Sequence, residues 1–239
     1  MKSGTSAVAL SAAVFIQMIG VGLIVALLPS RVIDISNSMD YVGYLASAFA
    51  VPFVLFQLPV GHLGDRYGFK IFLMAGYIVS FLTGLLYFKA GNVLSILCGR
   101  ALQGISEIPV WALAPALLSL LFRESKGEAI GKYNASLHLG LTTGSMISVY
   151  IFTVWSGNEP FLFYSATGLI AAIIIAFFVK EPAKNCKGLK QNSTSYSNIL
   201  HALKEIRRPA IYTGICLYGG SYGVFITVIP GVLLREKAF

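Results

Sequence analysis

Charged residues are scarce in this chain of 239 amino acids. They make up 12% of it, against roughly 25% in a typical soluble domain, while hydrophobic residues account for 56%. The mean hydropathy of +0.75 is correspondingly high. So few charges cannot cover a water-exposed surface as they do in a soluble domain. The composition therefore favours a protein embedded in a lipid bilayer.

Cysteine and the usual signatures of enzymes are also scarce. The three cysteines, Cys98, Cys186 and Cys216, lie in two apolar stretches and one basic segment, which does not suggest a disulfide framework. The sequence shows no nucleotide-binding glycine loop, no metal-ligand cluster and no catalytic triad. We therefore expect no enzymatic activity, no cofactor and no metal. The net charge of +8 comes from basic residues beside the apolar stretches, so we also expect no nucleic-acid partner.

Long apolar runs dominate what is present. Seven runs are close to the ~20 residues that a helix needs to cross a bilayer. They cover residues 7–28, 41–60, 71–88, 92–122, 130–155, 160–179 and 209–234. We predict an all-α integral membrane protein with a six-helix transmembrane bundle over residues 1–180. Residues 181–208 are predicted to form a basic cytoplasmic linker with a short amphipathic helix, and residues 209–239 a seventh transmembrane helix.

The lysines and arginines between these runs predict the orientation. Roughly 13 of them fall on one side of the membrane and roughly four on the other. The positive-inside rule then places the N-terminus in the cytoplasm of a multi-pass protein of the cell membrane. No small-residue cleavage site follows Lys2, so we expect the first helix to be retained.

A short charged segment, residues 61–70, separates the second and third runs. Its sequence, GHLGDRYGFK, predicts a tight turn with opposite charges side by side. It resembles the loop between the second and third helices of the major facilitator superfamily of secondary transporters. The matching positions are Gly61, Asp65, Arg66, Gly68 and Lys70. The resemblance implies that these residues form a conformational gating loop, in which Asp65 accepts helix-terminal amides or basic side chains.

The fourth run contains charged residues on one helical face. Arg100 and Glu107 are seven residues apart, which places them two turns and about 10 Å apart along a helix, with Gln103 between them. A charge in the middle of a span is costly and usually functional. Arg100, Gln103 and Gly104 also match the fourth-helix pattern of the same superfamily, whose arginine is associated with proton coupling. A structural ion pair that merely holds the bundle together is the alternative.

Small residues recur every four positions in the fifth run, at Ser136, Gly140, Gly144 and Ser148. Such a stripe predicts close helix packing in a membrane. Together with Gly131, the glycines resemble part of the fifth-helix motif of drug:proton antiporters. We expect this face, like that of Arg100, to contact a second half of the transporter.

A few isolated polar residues are further candidates for the proton or substrate pathway. Gln17 could face a cavity, or could bond a neighbouring helix. Tyr218 and Tyr222 could bind an amphipathic ligand, or could anchor the seventh helix at the interface. His138 could relay protons, or could be an ordinary packed imidazole.

Three functions stay open. The first is a secondary transporter that exports drugs or small amphipathic compounds by alternating access, coupled to protons. The second is a facilitator of another branch that imports a sugar or metabolite. The third is a non-transporting fragment, because the resemblance implies twelve helices and this chain would be truncated after the seventh. The expected partners are a small-molecule substrate, protons, the lipid bilayer, and a second half or another subunit.

Overall fold

A computed structural model describes residues 2–154, 157–181, 213 and 217. The chain divides into two compact units, Met1–Glu181 and Pro182–Phe239. The described elements of the first unit are all helical, which together with the apolar composition confirms the prediction of an all-α membrane protein. Tyr218, Tyr222 and most of the predicted linker and seventh helix lie outside the described residues.

Seven α-helices follow one another in the described residues of the first unit. They are α1 Lys2–Ser36, α2 Asp40–Tyr67, α3 Phe69–Lys89, α4 Val93–Ile108, α5 Ala114–Leu121, α6 Lys126–Val154 and α7 Glu159–Phe178. One turn of π-helix, Pro109–Leu113, joins α4 to α5, so that both belong to a single 29-residue span. Among the described residues, α1, α2, α3, the α4–α5 span and α7 are long and apolar enough to cross a membrane. Helix α6 has 29 residues and therefore the necessary length.

Helix α1 lies in the core of the bundle. It packs against α6 and α7, while α2 packs against α4, and α3 packs against both α4 and α7. Leu10, Val14 and Met18 of α1 are completely buried. Apolar side chains on the outer faces, such as Val54 of α2 and Phe177 of α7, are exposed, as a lipid-facing surface requires.

Glycines bring α1 and α6 together. A methyl group at Gly144 would overlap the main-chain carbonyl of Ile19, and one at Gly140 would overlap that of Phe15. Close backbone approach of this kind provides packing where lipid removes any hydrophobic drive between helices. The partner of these two glycines is therefore α1, and the expectation that they face a second half is wrong.

The other small residues of the α6 stripe differ from one another. Ser148 is buried and donates to the carbonyl of Ser145 in its own helix. Ser136 is half-buried and donates to the carbonyl of Lys132. Gly131 is exposed, and a methyl group there would meet no atom within 4 Å. The close contact with α1 thus involves Gly140 and Gly144 and not Gly131 near the N-terminus of α6.

Candidate functional site

The charged segment at residues 61–70 is helical except at one residue. Helix α2 continues through Tyr67 and α3 begins at Phe69, so that Gly68 alone separates them. Gly68 has φ 110° and ψ 148°, a conformation that residues with a side chain rarely adopt. Gly61 lies inside α2 with open space beside it. The prediction of a turn over the whole segment is therefore wrong.

The charges of this segment also have unexpected partners. Glu181, just beyond α7, accepts a hydrogen bond from the backbone N–H of Lys70 at 2.6 Å, and its carboxylate lies against Gly68. The Lys70 ammonium donates to the carbonyl of Ala176 at 2.7 Å, near the end of α7. An acidic group at a helix N-terminus and a cation at a helix C-terminus both interact favourably with the helix dipole. The two contacts therefore fasten the start of α3 to the end of α7.

Asp65 and Arg66 are not joined to each other. Among the described residues no ion pair or hydrogen bond connects them, and the Arg66 guanidinium lies 5.3 Å from the centroid of the Tyr67 ring. Asp65 is exposed. The two opposite charges are therefore side by side without being paired, and at the start of α3 it is Glu181 that accepts a hydrogen bond from a helix-terminal amide.

The π-helical turn between α4 and α5 has a specific supporting contact. The i→i−5 pattern of a π-helix would have residue 115 donate to the carbonyl of Val110, but Pro115 has no N–H. The buried Tyr133 hydroxyl of α6 donates to that carbonyl instead, at 2.8 Å. The same turn places Leu113 against Gly64 of α2, where a methyl group would come within 2.8 Å of a Leu113 methyl carbon. Turns of this kind are frequent at functional sites.

The polar residues of α4 form one connected row. Arg100, Gln103 and Glu107 are buried, with exposed fractions of 8%, 1% and 3%. The Gln103 amide nitrogen donates to Glu107 Oε1 at 2.9 Å, and Arg100 Nη1 donates to Gln103 Oε1 at 3.1 Å. No direct ion pair joins Arg100 to Glu107 among the described residues. The structural ion pair considered as an alternative is therefore absent, and Gln103 separates the two charges.

Two aromatic residues that the sequence patterns did not identify complete this row. Tyr87 of α3 donates from its hydroxyl to Gln103 Oε1 at 3.0 Å. The Trp111 indole N–H donates to Glu107 Oε2 at 3.2 Å. Trp111 follows Glu107 by four residues, a spacing that could have indicated the contact, whereas the contact of Tyr87 depends on how α3 and α4 pack. Both carboxylate oxygens of Glu107 thus accept a hydrogen bond.

Aromatic residues of α2 lie beside Arg100. Its guanidinium carbon is 5.8 Å from the centroid of the Phe49 ring, within the range of a cation–π contact. Phe49 and Phe53 stack with centroids 5.7 Å apart and an interplanar angle of 15°. Gly104 permits this approach, because a methyl group there would overlap the Phe49 carbonyl. Helix α2 therefore contributes a flat apolar surface next to a cation of α4.

The remaining candidates are placed differently. Gln17 is completely buried in α1, and neither polar atom of its amide has a hydrogen-bond partner among the described residues. His138 is exposed on α6, and its ring forms a T-shaped pair with that of Trp111, with centroids 6.4 Å apart. Of the predicted pathway residues, the structure thus brings together Arg100, Gln103 and Glu107, with His138 one aromatic ring away from Glu107.

The row of α4 contains one carboxylate, that of Glu107, and each of its oxygens accepts a hydrogen bond. No group of three or more His, Cys, Asp or Glu residues in the described part of the chain could hold a metal ion. A buried carboxylate with two donors can instead take up a proton, which makes one of its oxygens a donor. Such an exchange would add a donor beside Gln103 and Trp111, which themselves donate to this carboxylate.

Comparison with known proteins gives related sequences along most of the chain. Residues 10–237 match a sequence profile described as Major Facilitator Superfamily. An uncharacterised MFS-type transporter of Methanocaldococcus jannaschii is 26% identical over 232 residues, which cover 90% of this chain and 60% of that protein. Multidrug resistance protein 1 of Bacillus subtilis is 26% identical over 188 residues, covering 77% of this chain and 48% of that protein.

A third relative is named for the transport of a sugar acid and not for drug resistance. The hexuronate transporter of Bacillus subtilis is 26% identical over 212 residues, which cover 85% of this chain and 50% of that protein. The chain spans about half the length of the curated relatives it matches.

Proposed function

The chain belongs to the Major Facilitator Superfamily, a family of membrane transporters and not of enzymes, and we propose that it acts in the proton-coupled export of small amphipathic compounds. The family resemblance expected from the sequence is confirmed. The observation that carries the proposal is Glu107, a carboxylate buried within a membrane span and linked through Gln103 to Arg100. Charges at such depth are costly and are usually part of an ion or substrate pathway.

The hydrogen bonds of Gln103 suggest how proton binding at Glu107 would change the hydrogen bonds of Arg100. While Glu107 is ionised, Gln103 donates its N–H to it and offers its oxygen to Arg100 and Tyr87. Protonation turns one Glu107 oxygen into a donor, which would be best accepted by the Gln103 oxygen after the amide rotates. Rotation would turn the amide N–H toward Arg100, which can only donate. Proton uptake at Glu107 would therefore free Arg100 from Gln103.

The chain is proposed to function in the cell membrane with its N-terminus in the cytoplasm. The basic residues beside the spans support this orientation, in which Gly68, Lys70 and Glu181 would lie on the cytoplasmic side. Gly61, Asp65 and Arg66 remain proposed parts of the gating segment in other conformations. Gln17 and the row of α4 would face the pathway, which a second half or another subunit would complete.

Drug export is supported by the relative named for multidrug resistance, and transport of a sugar acid by the relative named for hexuronate. Multidrug resistance protein 1 and the hexuronate transporter show the same identity to this chain. The incomplete antiporter motif at Gly131, Gly140 and Gly144 favours export. The second candidate function is therefore proton-coupled import of a sugar acid or a similar metabolite.

Vesicle orientation separates these two functions. Inverted and right-side-out membrane vesicles are prepared from cells that express the chain and from cells that carry the empty vector. Accumulation of carboxyfluorescein, ethidium and glucuronate is measured with and without a pH gradient. Export predicts expression-dependent, gradient-driven accumulation in inverted vesicles, whereas glucuronate accumulation in right-side-out vesicles supports import. No expression-dependent accumulation in either orientation would contradict the transport proposal.

A further inference from the structure

Arg100 makes little use of its hydrogen-bonding capacity. A guanidinium has five N–H donors, yet among the described residues only Nη1 has an acceptor, the Gln103 oxygen at 3.1 Å. Nε is buried and has no partner among those residues. Since a buried charged donor without an acceptor is destabilising, an acceptor from outside the described chain would be bound favourably here.

The positive charge of Arg100 is also not neutralised by a neighbouring carboxylate. Glu107 lies beyond Gln103, and no ion pair involves Arg100 in the described part of the chain. What lies beside the guanidinium is the half-buried stack of Phe49 and Phe53. The surroundings of Arg100 thus offer one cation with free donors and one flat apolar surface.

We propose that Arg100, Phe49 and Phe53 form a binding subsite for a small aromatic carboxylate. The carboxylate would accept from the guanidinium, whose planar fork matches two carboxylate oxygens, and the ring of the ligand would lie on the phenylalanine pair. The inference rests on the proposed transport function and names a substrate class for it. Neutral and cationic aromatic compounds would lack the interaction with Arg100.

Equilibrium binding tests this subsite without any gradient. The full chain is purified into lipid nanodiscs, and binding of radiolabelled benzoate is measured in competition with unlabelled benzoate, benzamide and benzylammonium. These compounds share the ring and differ in charge. Because hydrogen bonds to charged groups are the strong ones, benzamide should compete about ten- to hundredfold more weakly than benzoate, and benzylammonium more weakly still.

Variants of Arg100 and Phe49 test which side chain is responsible for the preference for benzoate over benzamide. Arg100→Gln should abolish the advantage of benzoate over benzamide, and Arg100→Lys, which retains the charge without the fork, should lose most of it. Lys89→Gln removes one exposed positive charge at the end of α3 and should retain the full preference. Phe49→Leu should weaken benzoate and benzamide by a similar factor, because it removes ring contact and leaves the guanidinium.

Folding of each variant is checked by monodisperse elution and helical circular dichroism, and Arg100→Lys provides the test if Arg100→Gln does not fold. Equal competition by benzoate and benzamide in the unmodified chain, or a benzoate preference that survives in the Arg100 variants, would overturn the proposal. Because the assay needs no transport, a benzoate preference without any vesicle accumulation would contradict the proposed transport function and leave the subsite intact.

Discussion

Glu181 accepts a hydrogen bond from the backbone N–H of Lys70 at 2.6 Å, although the two residues are 111 positions apart in the sequence. This contact links the end of the sixth span to the junction of the second and third. It lies directly beside Gly68, whose backbone conformation allows α3 to begin without a loop. The junction of α2 and α3 is therefore stabilised by a residue just beyond α7, outside the charged segment.

Replacement of Glu181 by Gln should weaken this junction. The exposed carboxylate at the N-terminus of α3 is expected to contribute about 0.3–1 kcal/mol, and its loss should lower the midpoint of thermal unfolding in detergent. Glu124→Gln removes a similarly exposed carboxylate from the connection between α5 and α6 and serves as the control. Equal midpoints for the two variants would show that Glu181 does not stabilise the start of α3.

The glycines of the charged segment should respond differently to substitution. Gly68→Ala forces a side chain into a backbone region that is essentially restricted to glycine and against Glu181, with an expected loss of about 1–3 kcal/mol. Gly61→Ala introduces the same methyl group inside α2, where nothing lies within 4 Å, and should be neutral or slightly stabilising. Thermal unfolding of both variants measures the difference, and equal destabilisation would contradict the helical assignment of Gly61.

The contact between α1 and α6 predicts a similar contrast. Gly144→Ala should overlap the main chain of Ile19 and destabilise the protein by about 1–3 kcal/mol. Gly131→Ala adds the same group to an exposed position of the same helix, where nothing lies within 4 Å, and should be neutral or slightly stabilising. Disulfide crosslinking between cysteines introduced in α1 and α6 reports the contact itself. Absence of crosslinking in the chain that retains Gly144, or unchanged stability in Gly144→Ala, would show that the two helices are not closely packed.

The hydroxyl of Tyr133 should be necessary for the π-helical turn. Tyr133→Phe leaves the carbonyl of Val110 without its donor, and a buried group left unpaired in this way costs about 1–3 kcal/mol. Tyr44→Phe removes a hydroxyl from an exposed tyrosine of α2 and is the matched control. If Tyr133→Phe unfolds at the same temperature as the control, the turn does not depend on this bond.

Hydropathy and spacing predicted the spans and the row of α4, because both are local properties of a helix. The i, i+4 spacing of Gln103 and Glu107 is enough to place them in contact. The same reasoning could not distinguish Gly61 from Gly68, because the difference between them is that α2 ends after Gly61 and before Gly68. It also ended the first helix at residue 28, although α1 continues through Pro29 to Ser36. Those boundaries depend on packing between helices.

The contacts that are distant in sequence could not be predicted in this way. Glu181 with Lys70 and Tyr87 with Gln103 each require a particular arrangement of two helices. Phe49 meets Arg100 because Gly104 lets α2 approach α4, and the sequence alone does not show which helix that glycine faces. For the same reason, the small residues of α6 indicated a close contact but not its partner.

Proton coupling through Glu107 is tested most directly by gradient-driven accumulation in inverted vesicles from cells that express the chain or its variants. Glu107→Gln keeps a hydrogen-bonding side chain of similar shape but cannot exchange a proton, so that accumulation driven by the pH gradient should fall to the level of the empty vector. Glu128→Gln removes an exposed carboxylate that pairs with Lys132 and should leave accumulation unchanged. Expression levels of both variants are matched by immunoblot. Gradient-driven accumulation that persists in Glu107→Gln would contradict the assignment of this residue as the proton site.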